Sequence, residues 1–260
     1  MKKKSLLKEI NLIPGKKIYF ASDFHLGAPD YSQSLVREKR ICQWLETIKI
    51  DAQVLFLVGD MFDFWFEYRH VVPKGFVRLL GTLARMSDDG IQIHLFHGNH
   101  DLWQFGYLEK ELNCSVHSKP VSLCVNQTLF HLAHGDGIGP GQSWFKFVLS
   151  VYRNRFFQRL FAFFHPYVGI SIANWVSYRS KLKTFDSNKQ YLGDDKEYLM
   201  LYTQELLKNK DFSYCIYGHR HLAFEKKINN TTILNLGDWF SGNTYAVYDG
   251  SRLTLHSIKA

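Results

Sequence analysis

QVLFLVGDMFDFW, residues 53–65, begins with an almost purely apolar run and ends on Gly59, Asp60 and Asp63. A short run with no polar face predicts a strand covered on both sides, as in a parallel sheet packed between layers. The form recurs along the chain. KKIYFA (16–21) delivers Asp23-x-His25, IQIHLF (91–96) delivers Gly98-Asn99-His100-Asp101, TLFHLA (128–133) delivers His134-Gly135-Asp136, and FSYCIY (212–217) delivers Gly218-His219-x-His221. Ligands of α/β sheets gather beyond the carboxyl ends of strands, so five polar clusters at such ends predict one shared site.

Working outward, residues 33–48 and 74–88 have helical spacing, and a further helix is expected over 195–207 with Asp194 as its cap. VSLCV (121–125) is another strand. The tail reads as hairpins: FEKKI and TTILNLG about a turn at Asn229–Asn230, then TYAVY and RLTLHSI about Asp249–Gly250. Strand–helix alternation followed by antiparallel strands predicts an α/β fold with two sheets, a β-sandwich flanked by helices. The core is expected over 1–137 and 196–260, with 138–195 as an inserted helical cap broken near Pro166 and Gly169.

The net charge of +8 is concentrated in that insert. Residues 141–190 hold eight Lys or Arg, one acid (Asp186) and thirteen aromatics, while 160–178 is free of charge. Such a segment suits an anionic amphiphile or a membrane surface, or else a packed helical layer with a solvated basic face. Pro166 and Gly169 argue against a membrane-spanning helix there. The four cysteines are scattered without C-x-x-C spacing, which argues against thiolate zinc sites and dithiol chemistry and fits a reducing compartment. The first residues read as a mature cytosolic N-terminus.

Asp, Asn and His offer oxygen and nitrogen ligands without thiolate, a set that suits Mn²⁺, Fe, Zn²⁺ or Mg²⁺. Their number suits two ions sharing a carboxylate, the clamp used for in-line displacement at phosphorus. D-x-H or G-D alone is commonplace, and G-N-H-D and G-H-x-H at strand ends are moderately specific; all five in order, each at a strand end, are strong evidence for one site. The remaining histidines (His70, His94, His97, His117, His131, His165, His256) read as core or surface residues.

The order D-x-H, G-D-x-x-D, G-N-H-D, H-G-D, G-H-x-H over residues 23–221 resembles the calcineurin-like metallophosphoesterase superfamily. GDMFDFW (59–65), the insert and NLGDW (235–239) are similar to the UDP-2,3-diacylglucosamine pyrophosphatases of lipid A synthesis. The resemblance implies a four-layer fold and two divalent ions, Mn²⁺ foremost. Asp23, His25, Asp60 and His221 would hold one ion. Asp60, Asn99, His134 and His219 would hold the other. His100 would sit over the phosphate as a catalytic group with Asp101 as its support, and Asn99 would also meet substrate. Gly98 would be the hinge that aims them. The narrower likeness implies hydrolysis of a nucleotide-linked glycolipid to UMP and 2,3-diacylglucosamine 1-phosphate. It also implies peripheral association with the cytoplasmic face of the inner membrane. Arg179 and Lys183 are the expected cap contacts to substrate. Two departures stand out: His100 occupies a position where many of these pyrophosphatases carry Arg, and Gln142 one where an acid is common. The alternative is a metallophosphoesterase of another phosphodiester or phosphomonoester, a nuclease included. The uncharged 160–178 stretch fits acyl chains better than nucleic acid. Oligomeric state leaves no mark in the sequence.

Overall fold

The computed structural model of the chain describes residues 8–184 and 190–258, with the side chains of residue 174 and residues 178–184 outside the described set. The strand inside the opening stretch is β3 (Ala52–Leu57), buried at every residue except the half-buried Gln53. Val54 and Phe56 face one apolar core, whereas Leu55 and Leu57 face another. Neither side meets water, so neither side is polar. Around it lie β2 (Lys17–Ala21), β4 (Gln92–Phe96) and β5 (Ser115–His117), all parallel. Antiparallel β11 (Thr244–Tyr248) and β12 (Leu253–Ser257) complete the order β12-β11-β2-β3-β4-β5.

Parallel neighbours require crossovers. α1 (Tyr31–Ile48), α2 (Val77–Asp88) and α3 (Tyr107–Glu111) provide them and cover the outer face, where Trp44, Leu45, Leu79 and Leu83 join the core of Leu55 and Leu57. α1 starts two residues before the expected position because Asp30 caps it, accepting from Gln33 N at 2.9 Å.

The second sheet runs β1-β6-β7-β8-β10-β9. Its strands are β1 (Lys8–Ile10), β6 (Val121–Val125), β7 (Thr128–Ala133), β8 (Tyr214–Tyr217), β9 (Phe224–Ile228) and β10 (Thr231–Asn235). The sheets enclose a core in which Phe20 stacks on Phe56 at 5.3 Å and on Phe130 at 6.2 Å. α7 (Tyr198–Leu207) covers the second sheet through Leu199 and Met200. The layers are therefore helix, sheet, sheet, helix, the α/β two-sheet architecture expected.

Both tail hairpins form, but they join different sheets: β9–β10 extends the second and β11–β12 the first. Alternation identifies a hairpin and says nothing about which edge it will join. Three elements went unread because they are too short to show a period: β1, α3 and β5. α7 begins at Tyr198, and Asp194 accepts from the Tyr191 hydroxyl instead of capping it.

The basic segment forms α4 (Ser143–Arg153), α5 (Arg155–Ala162) and α6 (Pro166–Thr184). The break falls before Pro166, whose ring disfavours helix at the preceding residue. The break expected near Gly169 does not occur. There the missing side chain serves proximity, since a Cβ would come within 3.1 Å of the Phe161 ring. Among the described residues no helix is long and apolar enough to cross a membrane.

Candidate metal centre

The loops that follow the strands stay laced together beyond the ladders. Asp23 N donates to Gly59 O at 3.1 Å, His25 N to Asp60 O at 2.9 Å, and Gly218 N to His134 O at 2.9 Å. Five side chains sit on backbone in the left-handed region: Asp23 (φ 56), His25 (φ 43), Asp60 (φ 54), His219 (φ 67) and His221 (φ 52). Residues other than Gly pay about 1–3 kcal/mol for such conformations, which collect where function demands them.

These turns bring the predicted residues together. Ligand atoms of Asp23, His25, Asp60 and His221 lie within 4.8 Å of one another, as do those of Asp60, His134 and His219. Asp60 belongs to both groups. His221 Nε2 is 3.3 Å from Asp23 Oδ1 and 3.1 Å from His25 Nε2. Asn99 joins the second group, its Oδ1 3.4 Å from His134 Nε2. His134 Nδ1 donates to Val58 O at 2.8 Å, which turns Nε2 toward Asp60 and Asn99.

The donor set fits a pair of divalent ions. Asp60 Oδ2 is buried and accepts no hydrogen bond, although it lies 3.3 Å from His134 Nε2 and 3.6 Å from His25 Nε2. A buried carboxylate oxygen left without a donor among imidazole nitrogens is a natural cation ligand. Burial works against the Asp60 charge, but the imidazoles of His134, His100 and His25 outweigh it and hold Asp60 well below the usual carboxylate range. Burial raises Asp23 to about 8; His134 opposes the rise and Asp60 adds to it. Burial lowers His221 to about 4, so its ring stays neutral, the form that ligates metal.

Gly98 is not a hinge. Its φ is ordinary, and its role is space: a Cβ there would collide with the Asp60 carboxylate and backbone. The support assigned to Asp101 also changes. Asp101 accepts from the backbone N–H groups of Met61 and Gly98, each at 2.8 Å, and so ties the two loops together. The partner of His100 is Asp63. His100 Nδ1 lies 3.0 Å from the Asp63 carbonyl and 3.5 Å from its carboxylate. That carboxylate also lies 3.3 Å from His25 Nδ1. Asp63 was visible in the sequence as the last residue of G-D-x-x-D, but the adjacency of Asp101 to His100 pointed to the wrong carboxylate. Residues adjacent in a turn commonly diverge, and here they do. Two further braces went unread. Arg37 holds the D-x-H loop through Phe24 O and His25 O at 2.8 and 2.7 Å. Asn235 Nδ2 holds Gly218 O at 2.6 Å.

A cavity of about 390 Å³ opens beside His100 and Asn99. Trp103, Phe145, Tyr152, Phe161 and Ile172 line it with Asp63. The Phe161 ring packs 4.7 Å from Trp103 and 5.0 Å from Phe66, and Trp103 Nε1 donates to Tyr152 O at 2.8 Å. Arg153 on α4 pairs with Asp136 at 2.7 Å. The side chains of Arg179 and Lys183 lie outside the described residues. The apolar lining with convergent polar groups at one end is the form of a site for an amphiphilic ligand.

The chain is similar to known proteins along most of its length. Residues 16–223 match the family model described as calcineurin-like phosphoesterase. The UDP-2,3-diacylglucosamine hydrolase of Porphyromonas gingivalis is 38% identical over 256 residues, covering 94% of this chain and 98% of that protein. The protein of the same name from Histophilus somni is 23% identical over 91% of this chain and 97% of its own. An archaeal phosphodiesterase of solved structure aligns over 93% of this chain and 99% of its own, with 13% identity and a TM-score of 0.47. Phosphoesterases of the matched family use a dinuclear divalent-metal site, and two carboxylate–histidine groups sharing Asp60 are present here. With that match over most of its length, the chain belongs to the calcineurin-like phosphoesterase family.

Proposed function

We propose that this protein is a metal-dependent hydrolase that splits the pyrophosphate of UDP-2,3-diacylglucosamine into UMP and 2,3-diacylglucosamine 1-phosphate. The observation that carries the reading is the Asp60 shared between two ligand groups, with Asn99 beside them and His100 next in the chain both lining an apolar cavity. The similarity to hydrolases named for that substrate supports it.

In this reading Asp23, His25, Asp60 and His221 hold one ion, and Asp60, Asn99, His134 and His219 hold the second. The donors suit Mn²⁺, Fe, Zn²⁺ or Mg²⁺, and the family resemblance puts Mn²⁺ first among them. When bound, the pair supplies an acidified water and neutralises charge on the phosphoryl group. The chain does the rest. Asp60 Oδ1 accepts from His100 N at 2.9 Å and so fixes the turn that presents His100. Three acceptors surround His100 Nδ1: the Asp63 carbonyl, the Asp63 carboxylate and Ser177 Oγ. That places the ring proton on Nδ1 and frees Nε2 to meet the phosphate.

Residues 138–195 serve as a cap. Their aromatics would hold acyl chains, at about 0.8 kcal/mol for each CH₂ buried. Their cations, Arg179 and Lys183 among them, would meet the diphosphate and anionic lipid heads. Exposed Trp144, Phe156, Phe163 and Tyr167, beside Arg155 and Arg159, fit a peripheral position on the cytoplasmic face of the inner membrane. A second reading rests on His100 itself. A histidine held by a carboxylate serves to protonate poor leaving groups, so simple phosphodiesters fall within reach of this site.

The test is direct. Purified protein with Mn²⁺ and UDP-2,3-diacylglucosamine in detergent should release UMP and the lipid monophosphate, and Asp60→Ala should release neither. Cleavage of an aryl phosphodiester without release of UMP would discard the lipid substrate and keep the metal centre.

A further inference from the structure

α6 sends one hydroxyl into the floor of the site. Ser177 is buried, and its Oγ donates to Asp63 Oδ2 at 2.8 Å while lying 3.3 Å from His100 Nδ1. Asp63 is the residue that holds His100. A helix residue 114 positions away therefore touches both members of the pair. Its bonding is unlike that of a serine serving its own helix. Ser171, two turns earlier on α6, donates to Tyr167 O at 2.7 Å, the usual back-bond within a helix. Ser177 reaches across to the core instead.

The consequence is mechanical. The Asp63 carboxylate has two oxygens to place: Oδ1 near His25 Nδ1 and His100 Nδ1, and Oδ2 on Ser177. Fixing Oδ2 sets the rotation of the carboxylate and hence the position of Oδ1. The Ser177 oxygen also occupies the space beside Nδ1 into which the His100 ring would otherwise turn. Other contacts among the described residues hold the α4–α6 helices to the core, including Trp103 to Tyr152, Arg153 to Asp136, Phe145 on His219, and Phe161 against Phe66 and Trp103. None of these touches His100.

We propose that Ser177 is a positioning residue, acting through Asp63 on His100, which makes the productive orientation of His100 depend on α6 being docked. The α4–α6 helices then contribute to turnover as well as to lipid binding. This inference rests on the reading of His100 as the group that meets the phosphate, and it is independent of which phosphate ester is the natural substrate.

The experiment compares Ser177→Ala and Ser177→Thr in the Mn²⁺-loaded enzyme. Two substrates are used, UDP-2,3-diacylglucosamine and bis(4-nitrophenyl) phosphate, which has no acyl chain to meet the helices. Misplacement of a catalytic group by a fraction of an ångström to 1 Å costs up to about a hundredfold, so Ser177→Ala should lower kcat about tenfold on both substrates. KM for the aryl ester should not change, nor should the thermal midpoint or the metal content. Ser177→Thr, which keeps the hydroxyl, should restore most of the loss. A defect confined to KM for the acylated substrate would make Ser177 a lipid contact and overturn the inference. An equal loss in both variants with a lowered thermal midpoint would make it a packing residue and overturn it too. If wild type cleaves only the aryl ester, the lipid reading fails, and the aryl kcat alone decides the role of Ser177.

Discussion

The floor of the site and the α4–α6 helices above it use their residues in opposite ways. On the floor, Asp23, His25 and Asp60 are fully buried, polar and set on left-handed backbone. The helices instead leave Trp144 at 75%, Phe163 at 87% and Tyr167 at 76% exposure, and their charge is almost all positive. Burying charge and exposing aromatics both cost stability, and each makes sense only with a ligand. In the proposed reading the floor would hold cations, and the helices would meet an apolar chain with an anionic head. The cavity is where the two demands meet, with His100 at the polar end and Phe161 at the apolar end.

Variants can break that contrast in order of severity. Asp60→Ala removes the oxygen shared by both ligand groups. Losing several kcal/mol of charge stabilisation at the phosphoryl group corresponds to about a thousandfold or more in kcat. Metal analysis should show fewer than two ions per chain, and unchanged stoichiometry with near-normal turnover would refute the shared-carboxylate site. Asp63→Asn should cost about 10–100-fold in kcat, the usual scale for residues that orient a ligand or catalytic group. Asp101→Ala should act differently. It leaves buried N–H groups of Met61 and Gly98 unpaired, for a loss of about 2 kcal/mol seen in denaturant unfolding. If the two variants exchange these phenotypes, the assignment of Asp63 over Asp101 is wrong.

On the apolar side, Phe161→Ala should raise KM for the acylated substrate about tenfold while sparing an aryl phosphodiester, since several CH₂ contacts are lost at about 0.8 kcal/mol each. Equal effects on both substrates would assign Phe161 to docking of the helices instead of lipid binding. Neutralising one exposed cation, Arg159→Gln, should weaken binding to anionic vesicles about fivefold at low salt, at about 1 kcal/mol per charge. Sedimentation with vesicles measures this, and the difference should shrink at high salt.

A further expected effect lies outside the site. Burial lowers His131 to about 4 in the folded chain. The unfolded chain takes up that proton first, near 6.5, so the contribution of His131 to stability is complete above that pH. It is lost as the pH falls from about 6.5 toward 4. Thermal midpoints of wild type should fall across this window, and those of His131→Gln should fall less.

Much of the floor was legible because its signals are local. A run such as VLFLV ending in Gly59-Asp60 announces both a doubly covered strand and the turn that leaves it. All seven expected ligands proved to lie together for that reason: each needed only to stand at the end of its own strand. His131, read with six other histidines as core or surface, is buried between Ser122 Oγ and the Tyr202 hydroxyl. The errors share a cause. Asp101 is beside His100 in sequence but hangs on the backbone of β3's loop, and Gly169 is a helix breaker by propensity yet is kept in α6 by close packing on Phe161. Propensity yields when tertiary contact outweighs about 1 kcal/mol.

By itself, the sequence determined the strand ends, the residue types presented there, the donor chemistry those types allow, and the concentration of basic and aromatic residues in one segment. These properties follow from periodicity and composition over a few residues. Only the tertiary structure decided that Asp63 holds His100, that Ser177 reaches both, and that the two tail hairpins part to opposite sheets. Those pairings join residues far apart in the chain, and packing geometry selects among partners that local pattern leaves equivalent.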